Sequence, residues 1–188
     1  MAAASKLFVI SGPSGAGKGT LVARLRERLP RLGLTVSATT RSPRAGEQEG
    51  VSYFFLSPEE FQRRIDAGEF LEWAHVFGNM YGTLLSEVTS KLEAGTSLIL
   101  EIDVQGALQV KEKFPEAVLI FIEPPSLEVL RQRLVGRATE SPEALATRLA
   151  TAEKELALAE RYDAVIVNDD LDTATSDLVA AVESYERN

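Results

Sequence analysis

The sequence predicts a doubly wound α/β fold in a single domain, and three observations support this prediction. Four short apolar runs are typical of strands that are buried on both faces of a parallel sheet. Segments with helical spacing of apolar residues lie between and after these runs, which is the order of a doubly wound sheet. The chain has 188 residues, 45% of them hydrophobic, and is long enough to bury one sizeable core. The predicted strands are Leu7–Ser11, Ser97–Ile102, Ala117–Ile122 and Ala164–Val167, and the predicted helices are Lys18–Leu29, Leu84–Leu92, Leu127–Leu134 and Pro142–Arg161.

Two stretches break this alternation. The first, from about Thr35 to Tyr81, is rich in Thr, Arg, Gly and aromatic residues and contains the alternating segment Val51–Leu56. It predicts an inserted β-rich lobe. The second runs from Arg133 to Arg148, where arginines, a glycine and a Thr-Glu-Ser-Pro turn interrupt the helical pattern, which suits a mobile flap.

The composition argues against several classes of function. The 28 acidic and 20 basic residues give a net charge of -8, whereas a general nucleic-acid binder needs a basic field. Cysteine is absent, so disulfides, thiolate metal sites and cysteine nucleophiles are excluded. The N-terminal segment is too short and weakly apolar for a signal peptide, and no apolar run reaches membrane-spanning length. We therefore expect a soluble, cytoplasmic protein.

A glycine-rich segment with a lysine follows the first predicted strand and opens the first predicted helix. Its glycines allow backbone N–H groups to converge, the helix N-terminus adds positive potential, and Lys18 adds a full charge. This pattern predicts a cradle for nucleotide phosphates; the alternative is a glycine-rich turn with an accidental lysine. The predicted loop consists of Gly12, Pro13, Ser14, Gly15, Ala16, Gly17, Lys18, Gly19 and Thr20.

The residue after the lysine departs from the usual phosphate-loop pattern. That pattern places Ser or Thr there to contact Mg²⁺, whereas this chain has Gly19 first and the hydroxyl at Thr20. Direct metal coordination by the loop is therefore left open, and no metal ligand is assigned. Phosphate oxygens and water are an alternative way to hold Mg²⁺, which dehydrates reluctantly.

Further motifs follow the phosphate loop in order. They are Ser-x-Thr-Thr-Arg-x-Pro-Arg-x-Gly-Glu from Ser37, Phe-Leu-Glu-Trp-Ala from Phe70, Gly-Asn-x-Tyr-Gly-Thr from Gly78, Ile-Asp-x-Gln-Gly-Ala from Ile102 and Val-Asn-Asp-Asp from Val167. The two arginines of the first motif suit a phosphate because their forked donors match its oxygens. Over nearly the whole chain, this ordered series resembles the guanylate kinases.

The resemblance implies a P-loop nucleoside-monophosphate kinase fold, with a parallel-sheet core, an inserted β-rich GMP-binding lobe and a helical lid. It implies ATP-dependent phosphorylation of GMP, and of dGMP, in purine nucleotide metabolism and GMP recycling. ATP and GMP are then the small-molecule partners, Mg²⁺ accompanies ATP, and no obligate protein partner, nucleic acid or membrane is expected. The implied divisions are a core of 1–36, 84–132 and 157–188, a lobe of 37–83 and a lid of 133–156.

The resemblance also implies roles for residues of the lobe. The residues implied to grip the GMP phosphate are Ser37, Arg41, Arg44, Tyr53 and Tyr81, and those implied to read the base are Glu72 and Thr83. Chemistry supports Glu72, because guanine offers N1–H and N2–H₂ as adjacent donors, whereas the unprotonated N1 of adenine would face the carboxylate. Taken alone, Glu72 reads as a solvated strand acid and the tyrosines as core aromatics.

The resemblance assigns residues of the core and lid as well. Asp103 is implied in the GMP site and its magnesium network, whereas Glu101 stands where the family often has Asp and could be a helix cap. Arg133, Arg137 and Arg148 are implied to neutralise the transferring phosphoryl group, as Lys18 and Arg41 are. Taken alone, these arginines read as surface charge. Asn168, with Asp169, is implied on the adenine side, with a turn cap as the alternative.

Two competing functions remain at this point. Guanylate-kinase-like domains also occur as protein-interaction modules without catalysis, but such a module has no use for Lys18 together with the lobe and lid arginines. A kinase for AMP or another nucleotide is suggested by Gly19-Thr20 and opposed by the acceptor lobe.

Overall fold

The computed structural model describes residues 5–76, 78–135 and 142–187. Within these residues, no helix has the length and apolar character needed to cross a membrane. The strands are β1 (Leu7–Ser11), β2 (Gly33–Leu34), β3 (Ser37–Thr39), β4 (Phe54–Phe55), β5 (Phe70–Val76), β6 (Asn79–Leu84), β7 (Leu98–Glu101), β8 (Val118–Glu123) and β9 (Ala164–Val167). The helices are α1 (Lys18–Arg28), α2 (Pro58–Asp66), α3 (Leu85–Glu93), α4 (Val104–Lys113), α5 (Leu127–Val135), α6 (Pro142–Leu156) and α7 (Leu171–Arg187), with a 3-10 turn at Ala159–Arg161.

A five-stranded parallel sheet in the order β2-β7-β1-β8-β9 forms the centre of the molecule. Alternate residues of β1 enter different clusters: Phe8 and Ile10 pack with α1 and α7, whereas Leu7 and Val9 pack with α3 and α4. Both faces of the sheet are therefore covered, which explains why its inner strands are apolar at successive positions.

A second sheet, in the order β4-β3-β6-β5, forms the lobe. Its strands come between β2 and β7 along the chain. Its small core includes Phe61 of α2, which stacks on Phe70 of β5 with ring centroids 4.3 Å apart. Two contacts fasten β5 to the central layer: Leu71 is buried in the core that contains α4, and Lys113 Nζ donates to the Phe70 carbonyl at 2.9 Å.

The helices α5 and α6 pack against each other through a separate apolar cluster. Leu130 and Leu134 of α5 contact Ala152 of α6, with Leu145 and Leu149 at the margin. This pair stands beside the carboxyl ends of the central strands, where open α/β sheets bind their ligands.

The predicted doubly wound core is confirmed, because the four predicted strands and the helices α1, α3 and α5 agree within about one residue at each end. The last predicted helix is too long: α6 ends at Leu156, and the chain then tightens into the 3-10 turn. The turn directs Tyr162 into the core, where its ring meets Phe121 at 4.9 Å.

Other predictions need correction. Only Phe54–Phe55 of the alternating segment Val51–Leu56 pairs as a strand, and the lobe also contains a helix, α2. That helix has a readable start, because the Ser57 hydroxyl accepts from Glu60 N at 3.1 Å and Pro58 opens the first turn. The interruption of the helical pattern was predicted to run from Arg133 to Arg148, but Arg133 lies within α5 and Arg148 lies within α6. Residues 136–141 lie outside the described residues.

The central sheet should tolerate little loss of volume. Leu119 of β8 is 0% exposed, so we expect Leu119→Ala to lower the free energy of unfolding by about 2–5 kcal/mol through lost burial and a residual cavity. Urea unfolding would measure this. The control is Val165→Ala on the edge strand β9, where the side chain is 42% exposed and a change within about 0.5 kcal/mol is expected. Equal losses at both positions would contradict the assignment of the core.

Candidate active site

The phosphate loop joins the end of β1 to the start of α1, and two of its glycines are required by their surroundings. Gly12 has φ of +143°, and a Cβ there would lie 2.3 Å from the Ile122 carbonyl oxygen. Gly17 has φ of +92°, and a Cβ there would lie 2.4 Å from Asn168 Nδ2. Any larger residue would push the loop away from the strand ends, so these glycines set its close approach to the sheet.

Lys18 holds its ammonium group across the loop. Its Nζ donates to the carbonyls of Gly12 at 2.6 Å and Pro13 at 3.1 Å. Helix α1 has no acidic residue in its first turn and no side-chain cap among the described residues. The helix N-terminus and the lysine thus offer positive potential to an anion.

Asn168 connects the loop to the far end of the sheet. Its Nδ2 donates to the Ala16 carbonyl at 2.8 Å, its backbone N–H donates to Glu123 at 2.7 Å, and its own carbonyl accepts from Arg133 Nη2 at 2.8 Å. The turn cap considered for this residue belongs instead to Asp170, whose Oδ1 accepts from Thr173 N at 2.8 Å. The buried amide of Asn168 therefore braces the phosphate loop.

Three clefts surround the loop. One of about 470 Å³ lies toward α5 and α7, one of about 410 Å³ lies over the start of α1, and one of about 290 Å³ lies between the loop and α6. The first is lined by Gly15, Gly17, Thr20, Arg133, Asn168, Asp169 and Leu171, the second by Ser14, Gly15, Gly17, Lys18, Gly19, Thr20 and Glu101, and the third by Gly12, Ser14, Lys18, Asp103, Thr147, Arg148, Thr151 and Glu155.

The second cleft offers oxygen ligands that fit a magnesium ion. The Glu101 carboxylate lies beside Gly19, where a Cβ would stand 3.7 Å from Oε1, and the exposed Thr20 follows on α1. Within the described residues, no cluster of three or more His, Cys, Asp or Glu side chains could enclose a metal. Mg²⁺ commonly keeps several waters and phosphate oxygens beside one or two protein ligands, so this sparse donor set suits it.

The acid that ends β7, Glu101, and the acid two residues later, Asp103, have different surroundings. Asp103 is the cap of α4, since its Oδ1 accepts from Gly106 N at 2.7 Å, so the capping alternative raised for Glu101 is wrong. Partial burial raises the pKa of Glu101, and the nearby Lys18 charge opposes this.

The lobe residues that were predicted to grip the GMP phosphate lie on its antiparallel strands β3 and β6 and on the adjoining loop. Thr39 pairs with Tyr81 across β3 and β6, and the Tyr81 ring meets Tyr53 edge-on at 6.1 Å. The Arg41 guanidinium lies over the Tyr53 ring, with Cζ 5.4 Å from its centroid. Arg44 is exposed on the loop that follows.

Glu72 is a buried carboxylate, only 7% exposed, opposite Thr83 in the β5–β6 pair. Burial is the main cause that raises its pKa above the ordinary value; the Asp103 charge adds to it, and Thr83 and Lys113 oppose it. The Thr83 hydroxyl is close enough to Glu72 to lower its pKa. Within the described part of the chain, however, this buried hydroxyl has no hydrogen-bond partner of normal geometry. On its other side, Thr83 pairs with Ser37 of β3. Ser37, Thr83 and Glu72, all predicted to bind GMP, are therefore neighbours on adjacent strands.

Two of the three predicted lid arginines lie beside the loop. Arg133 lines the first cleft, and its Nη1 is buried with no hydrogen-bond partner among the described residues. Arg148 lines the third cleft together with Lys18. Arg137 lies outside the described residues.

Three α6 residues that line the third cleft were not predicted from the sequence. They are Thr147, Thr151 and Glu155. Partial burial raises the pKa of Glu155, with the Asp103 charge adding to this and Lys18 opposing it. Acids and threonines on a helix are usually solvated, so only the packing of α6 over the loop reveals these positions.

The raised pKa of Glu72 has a consequence for stability. Above its ordinary value of 4.5, the unfolded chain releases this proton before the folded chain does, so wild-type stability falls as pH rises toward the folded pKa. Glu72→Gln lacks this proton release. We therefore expect the free energy of unfolding of Glu72→Gln, relative to that of wild type, to be larger at pH 7 than at pH 4, so the variant is relatively more stable at pH 7.

Urea unfolding at both pH values would measure this difference, with Glu116→Gln as a control for removal of an exposed carboxylate. If the difference in free energy of unfolding between wild type and Glu72→Gln did not depend on pH, this would contradict a raised pKa of Glu72 in the folded protein.

The comparisons with known proteins agree with this arrangement. The family model described as guanylate kinase matches residues 4–185. A guanylate kinase of Fusobacterium nucleatum subsp. nucleatum is 52% identical over 178 residues, covering 95% of this chain and 96% of the relative. The guanylate kinase of Gloeobacter violaceus is 54% identical over 183 residues, covering 97% of this chain and 86% of the relative. A crystal structure of guanylate kinase from Anaplasma phagocytophilum matches with a TM-score of 0.74 and 34% identity, covering 99% of this chain and 88% of the other. The chain therefore belongs to the guanylate kinase family.

Proposed function

We propose that this chain transfers the γ-phosphoryl group of ATP to GMP, giving ADP and GDP. The observation that carries the proposal is the buried carboxylate of Glu72, which lies in a lobe fastened beside a phosphate loop. A carboxylate kept out of water favours a ligand with two adjacent N–H donors, and guanine has such an edge. An adenine N1 would oppose the carboxylate lone pairs, so the same group selects against AMP.

For the donor nucleotide, we assign the triphosphate to the loop and the base to the cleft between Arg133 and Leu171. Converging loop N–H groups and Lys18 would hold the β- and γ-phosphates. Asn168 contributes to this site by bracing Ala16, and its direct contact with the base is secondary in our proposal. Thr20 and Glu101 would hold Mg²⁺, in part through water, and the ion would neutralise charge on the phosphate oxygens.

For the acceptor, we assign the GMP phosphate to the tyrosine and arginine cluster of the lobe. Arg41 and Arg44 supply permanent positive charge, and Ser37, Tyr53 and Tyr81 supply hydroxyl groups. Thr83, whose hydroxyl has no regular partner in the described part of the chain, joins Glu72 at the base. A 2′-hydroxyl has no assigned partner, so dGMP is expected to serve as well.

The chemistry requires no general base, because the acceptor is already an anionic phosphate oxygen. The protein's contribution is to align the two phosphates and to neutralise the charge that spreads over the transferring group. Arg133 and Arg148, which line clefts on two sides of the loop, suit that role, and Arg137 is proposed to join them. Closure of the segment 133–156 over the loop would exclude water and limit ATP hydrolysis.

We place this activity in the cytoplasm, on free nucleotides and without an obligate protein partner. A coupled assay of ADP formation from ATP, GMP and Mg²⁺ tests the proposed reaction. Turnover that requires all three supports it, whereas no turnover by pure, folded protein would leave a binding module as the better description.

Removal of the Lys18 ammonium should abolish most transfer, because its charge stands where the phosphates are proposed to lie. We expect Lys18→Ala to lower kcat by about 100-fold or more. Arg26→Ala is the matched control, since Arg26 is an exposed cation farther along the same helix. A near-normal rate in folded Lys18→Ala would contradict the role of the loop.

Glu72 should determine which purine is accepted. A glutamine there accepts from N1–H less strongly and can donate to the N1 of adenine, so we expect the GMP preference over AMP to fall by about 10- to 100-fold in Glu72→Gln. Steady-state kcat/KM for GMP, IMP and AMP would measure it. Glu69→Gln, at a 39% exposed carboxylate of the same lobe, should keep wild-type selectivity. Unchanged selectivity in Glu72→Gln would remove Glu72 from the base site.

A further inference from the structure

Glu47, at the end of the first lobe motif, makes an ion pair with Arg41 that no role assigned so far explains. Arg41 Nη2 donates to Glu47 Oε1 at 2.8 Å and Nη1 donates to Oε2 at 3.0 Å, so the carboxylate grips the guanidinium end-on with both oxygens. The two side chains are only 15% and 21% exposed. Such a bidentate pair fixes the plane of an arginine as well as its position.

The same carboxylate also holds the main chain that carries Arg44. Its Oε2 accepts from Arg44 N at 2.7 Å, and Glu47 N donates in turn to the Arg44 carbonyl at 3.0 Å. One side chain therefore sets the orientation of one arginine and the backbone of the other. The pKa of Glu47 is lowered, first by the hydrogen bond from Arg41 and next by that from Arg44, so the carboxylate stays charged at neutral pH.

The pattern of donors shows which edge of Arg41 remains for a ligand. Of the five guanidinium N–H groups, two are given to Glu47 and one, on Nη1, to the Ser42 carbonyl at 2.8 Å. The Nε–H and the second Nη2 hydrogen have no hydrogen bond of regular geometry to the described part of the chain, and they lie along the other forked edge of the guanidinium. The hydrogen bonding with Glu47 is the first cause that raises the Arg41 pKa, and the nearby Tyr81 hydroxyl adds to it; the Tyr53 ring packs on the guanidinium face.

We propose that Glu47 is a positioning residue for the acceptor site, which turns the Nε–Nη2 edge of Arg41 toward the phosphate of the nucleoside monophosphate. This inference rests on the proposed function, because it takes the acceptor to be GMP. The phosphate does not displace Glu47: it binds the unused edge while Glu47 keeps the opposite edge. Glu47 thus lowers the ordering cost of a long, flexible side chain before the ligand arrives.

The test uses Glu47→Gln and Glu47→Asp, because the amide cannot accept with both atoms and the shorter acid cannot reach the Arg41 guanidinium and the Arg44 backbone at the same time. We expect Glu47→Gln to raise KM for GMP by about tenfold, the effect of losing one charge-assisted hydrogen bond. KM for ATP should stay within about twofold and kcat within about threefold, and Glu47→Asp should lie between wild type and Glu47→Gln. Glu49→Gln is the matched control: its carboxylate accepts from Phe55 N at 2.9 Å in the same lobe, without an arginine.

Guanosine separates a positioning role from general damage to the lobe, since it has the base but no phosphate. Its inhibition constant should be the same in wild type and Glu47→Gln. Equal weakening of guanosine and GMP would overturn the proposal in favour of a structural role. A lower KM for GMP in Glu47→Gln would also overturn it, because Glu47 would then be a competing anion. Absence of GMP turnover in wild type would instead reject the proposed function itself.

Discussion

The close approach of the phosphate loop to the carboxyl ends of β1, β8 and β9 is the constraint on which the site depends. The Asn168 amide donates to the Ala16 carbonyl at 2.8 Å, and glycines at 12 and 17 remove the side chains that would block the approach. With the loop held there, α1 starts at Lys18 with its N–H groups and its charge directed at one place. The three clefts around the loop follow from this single arrangement.

The second requirement is that the lobe stands at a fixed place beside the loop. Helix α4 provides this, because Asp103 caps its start and Lys113, at its end, donates to the backbone of β5 at 2.9 Å. A Cβ on Gly106 would lie 3.5 Å from Glu72 Oε2, so the buried carboxylate rests over the first turn of the same helix. The carboxylate proposed to read the base and the cleft proposed to hold phosphates are thereby joined through one helix, since Asp103 at its start also lines the cleft beside Lys18.

The core was predictable because its strands are buried on both faces and its phosphate loop has a readable pattern. Helix α4 was missed because only two residues separate it from β7, leaving no loop to mark its start, and its third residue is a glycine. Helix α7 was missed although Ala174, Leu178 and Val182 have helical spacing, since polar residues fill the first interval whereas apolar residues fill the second and obscure the periodicity. Among site residues, the bracing role of Asn168 depends on a contact with a residue 152 positions away, and the pair between Arg41 and Glu47 depends on how the intervening loop folds; neither can be read from the order of residues along the chain.

We propose that one molecule joins an ATP-type phosphate loop to an acceptor site selective for guanine. This selectivity is tested by kcat/KM of the pure wild-type protein with ATP and Mg²⁺ across GMP, dGMP, AMP, UMP and IMP. We expect efficient transfer to GMP and dGMP, weaker use of IMP because it lacks the N2 amino group, and little transfer to AMP or UMP. Transfer to AMP as efficient as that to GMP would show that the acceptor site does not select guanine.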